Sequence, residues 1–433
     1  MTRPNFIFIL SDDLGFADLG CYGGRSPCSP NLDRMAADGL RFTDGYANSP
    51  VCSPTRFALA TGRWQYRLRG GADEPIASRH ARASPVLGLP PSHPTMASLL
   101  RDAGYSTALI GKWHLGFAPH FGPLKSGYAE FFGPMSGAVD YFTHCDSAGK
   151  HDLYDGEAEV ERRGYLTDLV SDRAVDFVQR QGKKPFLLSL HYTAPHWPWE
   201  TREDEAEAKR ISSIVHTDGG SVQTYLTMIR QMDEGIGRVL DALKSVGADK
   251  DTLMVFTSDN GGERFSDNWP LVGKKMDLLE GGIRVPYIVR WPERVPEGST
   301  TSQLAMTMDW MPTLLEAAGV APHPEYPLDG ISLLRTLETP AATFDRQLFW
   351  RMKFRDQKAM RSGRWKYLVI EGDEFLFDLA KDPRERANRA KREPERLAAM
   401  RARYEAWHAT MPPIPPDALA SIPYGKGDMA QPS

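Results

Sequence analysis

Five short, almost wholly apolar runs, each closed by turn-forming residues and separated by longer helical patterns, constrain this chain more than any other feature. They cover residues 5–10, 107–110, 186–191, 253–258 and 285–291. Runs that stay apolar instead of alternating belong to strands covered on both faces. Strands that recur with helices between them form a mostly parallel sheet. The helices are marked by their ends: Ser29-Pro30 opens one that Gly39 closes, and patterns over 95–103, 166–181 and 222–245 stop at Gly104, Gly182 and Gly247. The expected fold is therefore α/β, a large central sheet with helices on both faces.

A further helix over 309–318 ends at Gly319. After it come a proline-rich stretch and two β-like runs, 365–370 and 374–378, with Gly372-Asp373 suited to the turn between them. A charged helix over about 384–409 and a proline-rich tail follow. These features divide the chain into a large α/β domain over residues 1–337 and a small C-terminal subdomain over 338–433, built on an antiparallel sheet. The tail over 411–433 is compatible either with packing across a partner subunit, so that an oligomer is possible, or with mobility.

Composition narrows the function. Lys plus Arg number 52 against 56 Asp plus Glu, so general phosphate neutralisation of a nucleic acid is excluded and any anion site must be local. Only residues 6–10 are consecutively apolar near the start, too few for a signal peptide or a membrane span. Taking Met1 as the start, the expectation is a cytoplasmic protein with no membrane partner. Cys21, Cys28, Cys52 and Cys145 lack paired CxxC spacing, which argues against a zinc ribbon or a dense disulfide framework.

Two of the strand-like runs end in acids. The first enters Ser11-Asp12-Asp13-Leu14-Gly15 and the fourth enters Ser258-Asp259-Asn260-Gly261-Gly262. In open α/β sheets ligands bind at the carboxyl ends of strands. Three carboxylates and an amide gathered there repel unless neutralised, and hard oxygen donors suit calcium, magnesium or manganese. Either pair alone reads equally well as turn-forming residues; the two together imply a divalent cation. Elsewhere, in Cys52-Ser53-Pro54-Thr55-Arg56, Ser53 and Pro54 suit the cap and first turn of a helix ending at Gly62. This places Cys52 against a helix N-terminus, where free amides favour an anion or a reactive group. By spacing alone the cysteine reads as a small buried hydrophobe rather than a nucleophile.

Taken together these residues resemble the formylglycine-dependent sulfatases of the alkaline phosphatase superfamily, whose C-x-P-x-R signature is matched by Cys52, Pro54 and Arg56. The resemblance extends to Asp12-Asp13, to Gly111-Lys112-Trp113-His114-Leu115-Gly116, to Asp259-Asn260-Gly261-Gly262, and to Lys275 followed by Glu280-Gly281-Gly282-Ile283-Arg284-Val285-Pro286. It implies that Cys52 is oxidised after translation to formylglycine by a formylglycine-generating enzyme. The aldehyde's hydrate supplies the attacking oxygen and expels sulfate by re-forming the carbonyl. It also implies a metal, usually calcium, held by Asp12, Asp13, Asp259, Asn260 and the modified Cys52. Lys112 would hold sulfate oxygens and His114 would take the proton that triggers sulfate release. Arg56 would support the hydrate. Lys112 and His114, two apart in an extended segment, would point the same way.

The segment Phe186 to Pro198 offers two histidines for protonating the leaving group. The family pattern of His before x-Pro selects His196, leaving His191 as a hydrogen-bonded core residue; the four-residue gap to Glu280-Gly281-Gly282 favours Lys275 over Lys274 as its partner. The resemblance thus implies a hydrolase of organic sulfate monoesters, aryl sulfates or sulfated sugars. A phosphonate monoester or phosphodiester hydrolase is the alternative, against which Asn260 weighs because those relatives often carry histidine there. A binding protein that never acquires the aldehyde is a third reading, but every side chain the chemistry needs is present. Aromatic groups in 140–144 and 197–199 are expected near the opening. The Arg- and His-rich stretch 63–93 yields no assigned site residue.

Overall fold

The computed structural model describes residues 3–211, 214–215, 219–421 and 429–430. Ten strands form the main sheet: β1 (Asn5–Ser11), β2 (Leu40–Phe42), β3 (Ser106–Gly111), β4 (Glu130–Gly133), β5 (Tyr154–Asp155), β6 (Ala158–Glu159), β7 (Phe186–His191), β8 (Thr252–Ser258), β9 (Tyr287–Arg290) and β10 (Ser299–Thr301). Their spatial order is β10-β2-β9-β8-β1-β7-β3-β4-β5-β6. The run from β8 through β4 is parallel throughout, with β1 between β8 and β7.

Covering helices explain the apolar runs. They are α1 (Pro30–Ala37), α2 (Cys52–Thr61), α3 (Met96–Asp102), α4 (Leu166–Arg180), α5 (Val222–Ser245) and α6 (Trp310–Ala318). Successive side chains of a strand leave opposite faces. Phe6, Phe8 and Leu10 accordingly pack with Phe57 of α2, Leu100 of α3 and Trp310 of α6. Ile7 and Ile9 pack with Leu32 of α1, Phe177 of α4 and Ile236 of α5. Each such burial contributes about 1.5–3 kcal/mol, so the position of β1, and hence of the acids that follow it, is set by packing on two sides.

The strand expected over 285–291 is shorter than the pattern suggested and runs antiparallel to β8, with Tyr287 opposite Thr257. A parallel return needs a crossover of a dozen or more residues that carries the chain back to the far edge. Between β8 and β9 the only regular element is the four-residue helix Glu280–Ile283. The chain therefore spends that connection at the carboxyl edge and turns straight back.

The C-terminal sheet is antiparallel, in the order β11 (Gln347–Met352), β12 (Gln357–Ser362), β13 (Trp365–Ile370) and β14 (Asp373–Asp378). Its turn lies one residue earlier than the sequence suggested. Ile370 pairs with Asp373, and Glu371 and Gly372 carry φ of 53° and 94°, the pair of positive values a two-residue hairpin turn demands. The last helix, α7 (Pro394–His408), starts ten residues later than expected. Before it, Glu385 sits at φ 52° and the Asp382 carboxylate accepts from the amides of Arg386 and Ala387, which makes a turn there. Trp350, Met360 and Leu376 of this sheet share one apolar cluster with Val51, Met276 and Ile283, so the small sheet packs under the loops at the carboxyl edge. The tail is fixed as far as it is described: the amide of Ser421 donates to the Glu74 carbonyl and that of Glu74 to the Leu419 carbonyl. Residues 422–428 and 431–433, on which the rest of the tail expectation falls, lie outside the described residues. No helix among the described residues is long and apolar enough to cross a membrane.

Gly111 closes β3 at φ 111°, and a Cβ there would meet the His191 carbonyl oxygen at 1.8 Å. Gly111→Ala should lower stability by about 2 kcal/mol or more. Urea titration reads this directly, and an unshifted midpoint would show that β3 and β7 separate freely at this end.

Candidate functional site

β1 and β8 pair in register, Ser11 opposite Ser258, and so end side by side. Asp12-Asp13 and Asp259-Asn260 therefore leave the sheet together, all four almost wholly buried. Asp13 takes φ 64°, and its amide approaches Asp259 Oδ1 at 3.4 Å. Asn260 Nδ2 donates to Asp13 Oδ1 at 2.7 Å and to the Gly261 carbonyl at 3.0 Å, which turns Asn260 Oδ1 free into the interior.

α2 begins at Cys52, with Val51 and not Ser53 at the cap. The Ser53 hydroxyl is engaged elsewhere, accepting from the Ile76 amide at 2.9 Å. Cys52 is thus the first helical residue, 1% exposed, with the unpaired amides of the first turn around it. One turn on, the Arg56 guanidinium lies 2.8 Å from Asp259 Oδ2 and 3.8 Å from Asp12 Oδ2, and donates to the Lys112 carbonyl at 3.1 Å. Arg56 is directed at the carboxylates, so its relation to Cys52 is that of a nearby charge.

Lys112 and His114 do not form the extended pair expected of them. Gly111 at φ 111° and His114 at φ 58° bend the segment. Lys112, fully buried, donates to Asp12 Oδ2. His114 instead turns to the opposite wall, where its Nε2 contacts the Ile76 carbonyl at 2.8 Å; a carbonyl only accepts, so Nε2 carries the proton and the unpartnered Nδ1 is left with a lone pair. Lys275 donates to Asp13 Oδ2 at 2.7 Å, and His196 Nε2 is 3.5 Å from the same oxygen. His196 Nδ1 donates to the Trp197 carbonyl at 2.6 Å. Lys274 is not among the residues lining the cavity that Lys275 lines. His191 is buried at the end of β7 beside the Lys112 backbone.

Charge in this dry space follows from burial and neighbours. Burial pushes the Asp13 carboxyl up, but Lys275 and His196 outweigh it and hold Asp13 at about 2. Burial, with Asp12 alongside, pushes Asp259 up to about 7 against the pull of Arg56 and Lys112. Lys275 stays cationic: burial opposes its charge, yet Asp13 and the other acids keep its pKa well above the ordinary value. Burial and then Lys275 lower His196 to about 3, and burial and then Lys112 hold His114 well below the usual range, so both rings are neutral. Burial, then Asp12, raises the Cys52 thiol well above its ordinary value; an unmodified Cys52 is no thiolate nucleophile.

The donors fit a hard cation. Asp12 Oδ1 and Asn260 Oδ1 are buried oxygens without a hydrogen-bond partner, the kind of group that is costly to leave unsatisfied. One ligand atom each from Asp12, Asp13, Cys52 and His196 lie within 4.8 Å of one another. Asp259, expected in the same shell, gives one oxygen to Arg56.

Cys52, His114, His196 and Lys275 line a cavity of about 490 Å³. Of the aromatic groups expected at its opening, Trp197 lines it, while Tyr141 is buried behind, its hydroxyl donating to the His196 carbonyl at 2.9 Å. Tyr141 stacks on Tyr165, whose hydroxyl donates to the Glu200 carbonyl at 2.8 Å. Glu200 itself is buried, and burial, then Asp140, pushes its carboxyl up to about 9. Sequence reasoning passed over Glu200, Ser136 and the 75–79 segment of the wall. None lies in a patterned motif; a buried glutamate in a loop leaves no periodic trace.

A family model described as Sulfatase matches residues 4–320, and one described as N-sulphoglucosamine sulphohydrolase, C-terminal, matches 269–403. N-acetylgalactosamine-6-sulfatase of Canis lupus familiaris is 34% identical over 378 residues, 80% of this chain and 68% of that protein. Steryl-sulfatase of Mus musculus is 29% identical over 538 aligned positions, 96% of this chain and 84% of that protein. Among solved structures, Ps i-CgsB in complex with k-i-k-neocarrahexaose superposes with a TM-score of 0.85 at 31% identity, covering 97% of this chain and 95% of that one. The phosphonate monoester hydrolase of Agrobacterium radiobacter, at 23% identity and a TM-score of 0.66 over 94% of this chain and 96% of that one, shares the fold.

Glu200 keeps its proton in the folded protein up to about pH 9 but releases it near 4.5 once unfolded. Unfolding therefore releases a proton in that window, and the contribution of Glu200 to stability falls as pH rises through it. Glu200→Gln removes the effect, so the melting temperature of the variant relative to the parent should climb steadily between pH 5 and pH 9. A pH-independent difference would place Glu200 in contact with solvent.

Proposed function

We infer that this chain, which belongs to the sulfatase family and hydrolyses sulfate esters, acts through a formylglycine formed from Cys52 beside a calcium ion held by Asp12, Asp13, Asp259 and Asn260. The observation that carries the reading is that Cys52, at a helix N-terminus, and charged Lys275 line one cavity while the buried acids beside Cys52 and the neighbouring Asn260 leave carboxylate and amide oxygens orphaned. A bound calcium would add positive charge to sulfate oxygens and acidify the attacking hydroxyl, which formylglycine would provide.

The chain's own residues supply the rest. A sulfate monoester brings one negative charge, and more develops on the departing oxygen as its bond to sulfur breaks. Lys275, charged despite burial, donates to that oxygen. His196 has its tautomer set by the Trp197 carbonyl and presents Nε2 on the same side, where the anionic substrate favours its protonation. Lys112 and Arg56 keep Asp12 and Asp259 from repelling the sulfate. His114 Nδ1, neutral and unpartnered, would accept the proton of the second hydroxyl as the carbonyl re-forms and the C–O bond to sulfate breaks; water adding to the aldehyde would restore the hydrate and His114 would return its proton to solvent.

Relatives and structural neighbours named for sulfated amino sugars, sterols and a neocarrahexaose support a sulfated sugar as the first substrate class to try. The formylglycine-generating enzyme is the transient partner this reading needs. Co-expression with that enzyme should make the peptide carrying position 52 lighter by a sulfur-for-oxygen exchange and two hydrogens, and should confer hydrolysis of nitrophenyl sulfate in preference to nitrophenyl phosphonate esters. Cys52→Ala should abolish turnover. A larger rate on the phosphonate would overturn the ranking. Chelation should remove activity and calcium restore it. Lys275→Ala should lower kcat per folded molecule by about a hundredfold or more and also lower the urea midpoint, since buried Asp13 loses its cation; near-normal kcat would remove Lys275 from the reaction.

A further inference from the structure

We propose that Arg79 makes this cavity selective for sulfate esters whose alcohol carries a second anionic group, a carboxylate or another sulfate; the inference rests on the sulfatase reading of the site. The cavity has a reacting end, marked by Cys52 and Lys275, and a long wall that is mostly apolar or hydroxylic, with Ile76, Ala77 and Trp197 along it. Lys275 and Arg79 are the two Lys or Arg residues among its described lining, which includes no carboxylate. Lys275 already has Asp13.

Arg79 has no carboxylate partner among the described residues, and the one hydrogen bond its guanidinium makes there is to the ring of the neighbouring His80, at 3.1 Å. The contrast with Arg82 is direct. Arg82 lies 2.6 Å from Asp146 and 3.2 Å from Asp152 and covers the ring of Phe117. The arginine beside the cavity is thus neutralised, while the one that lines it has no carboxylate partner among the described residues.

The backbone that carries Arg79 is fixed to the reacting end. Ile76 donates its amide to Ser53, the residue after Cys52, and its carbonyl accepts from His114. Glu74, two residues earlier, accepts from the amides of Lys353 and Phe354. Arg79 lies three positions after Ile76, which limits their Cα separation to about 11 Å. The backbone of Arg79 is consequently kept near the reacting end, and its long side chain adjusts the guanidinium from there. The guanidinium can grip a carboxylate or a sulfate through two parallel N–H bonds. Since Arg79 is exposed, the pairing should be screened by salt.

The test compares kcat/KM for nitrophenyl sulfate, a monosulfated sugar, the same sugar bearing a carboxylate, and the same sugar bearing a second sulfate, all on protein with position 52 converted. The parent should favour one or both doubly anionic sugars by about tenfold, chiefly through KM, and the preference should shrink as salt rises. The carboxylated and disulfated arms show which anion is read. Arg79→Gln should erase the preference and leave nitrophenyl sulfate turnover unchanged, and Arg79→Glu should reverse it. A parent enzyme indifferent to the second charge, or an Arg79→Gln variant slowed equally on every substrate, overturns the proposal. Failure to hydrolyse any sulfate ester would instead overturn the reading of the site beneath it.

Discussion

Buried carboxylates must be met by positive charge, and the carboxyl edge of the main sheet is organised around that requirement. Asp12, Asp13 and Asp259 are brought together by the in-register ends of two strands. Each is answered from a different part of the chain: Asp12 by Lys112 after β3, Asp13 by Lys275 in the long connection after β8, and Asp259 by Arg56 in α2. Removing any one partner leaves a charge stranded where solvation is poor, which typically costs about 3–5 kcal/mol. The ionic contacts therefore fix the relative positions of four chain segments that the apolar core alone would leave freer to slide.

A second buried ionic cluster extends the same logic to the small sheet. Lys366 of β13, fully buried, lies 3.0 Å from Glu280 and 2.8 Å from Glu385, while the Tyr46 hydroxyl donates to Glu280 at 2.6 Å. Glu280 opens the short helix that follows Lys275. Displacement of the C-terminal sheet would therefore pull on the connection that delivers Lys275 to Asp13. The subdomain thus steadies the reacting end without contributing a group to it.

The central strands were legible because burial on both faces leaves an apolar run that cannot be mistaken for a surface element. Short strands such as Leu40–Phe42 and Glu130–Gly133 went unnoticed, since three or four residues paired at a sheet's flank carry too little pattern to stand out. The acids at the ends of β1 and β8 could be read as converging because strand ends in a parallel sheet share an edge. The path of Lys112 to His114 could not, because a left-handed residue at His114 leaves no mark in composition. The thiol at Cys52 carries meaning only through its motif; its burial and high pKa are those of an inert cysteine. Arg79 was hidden among the many basic residues of its stretch, and only the partners of its neighbours single it out.

The attachment of residues 419–421 to Glu74 has a consequence for how the molecule is made. Ser421 is part of the cavity wall, whereas every group assigned to the chemistry lies before residue 276. A nascent chain emerging from the ribosome can gather all its reactive side chains long before the vessel that encloses them is closed. A truncation in the last stretch would then yield a molecule with its chemistry intact and one side of its mouth unmade.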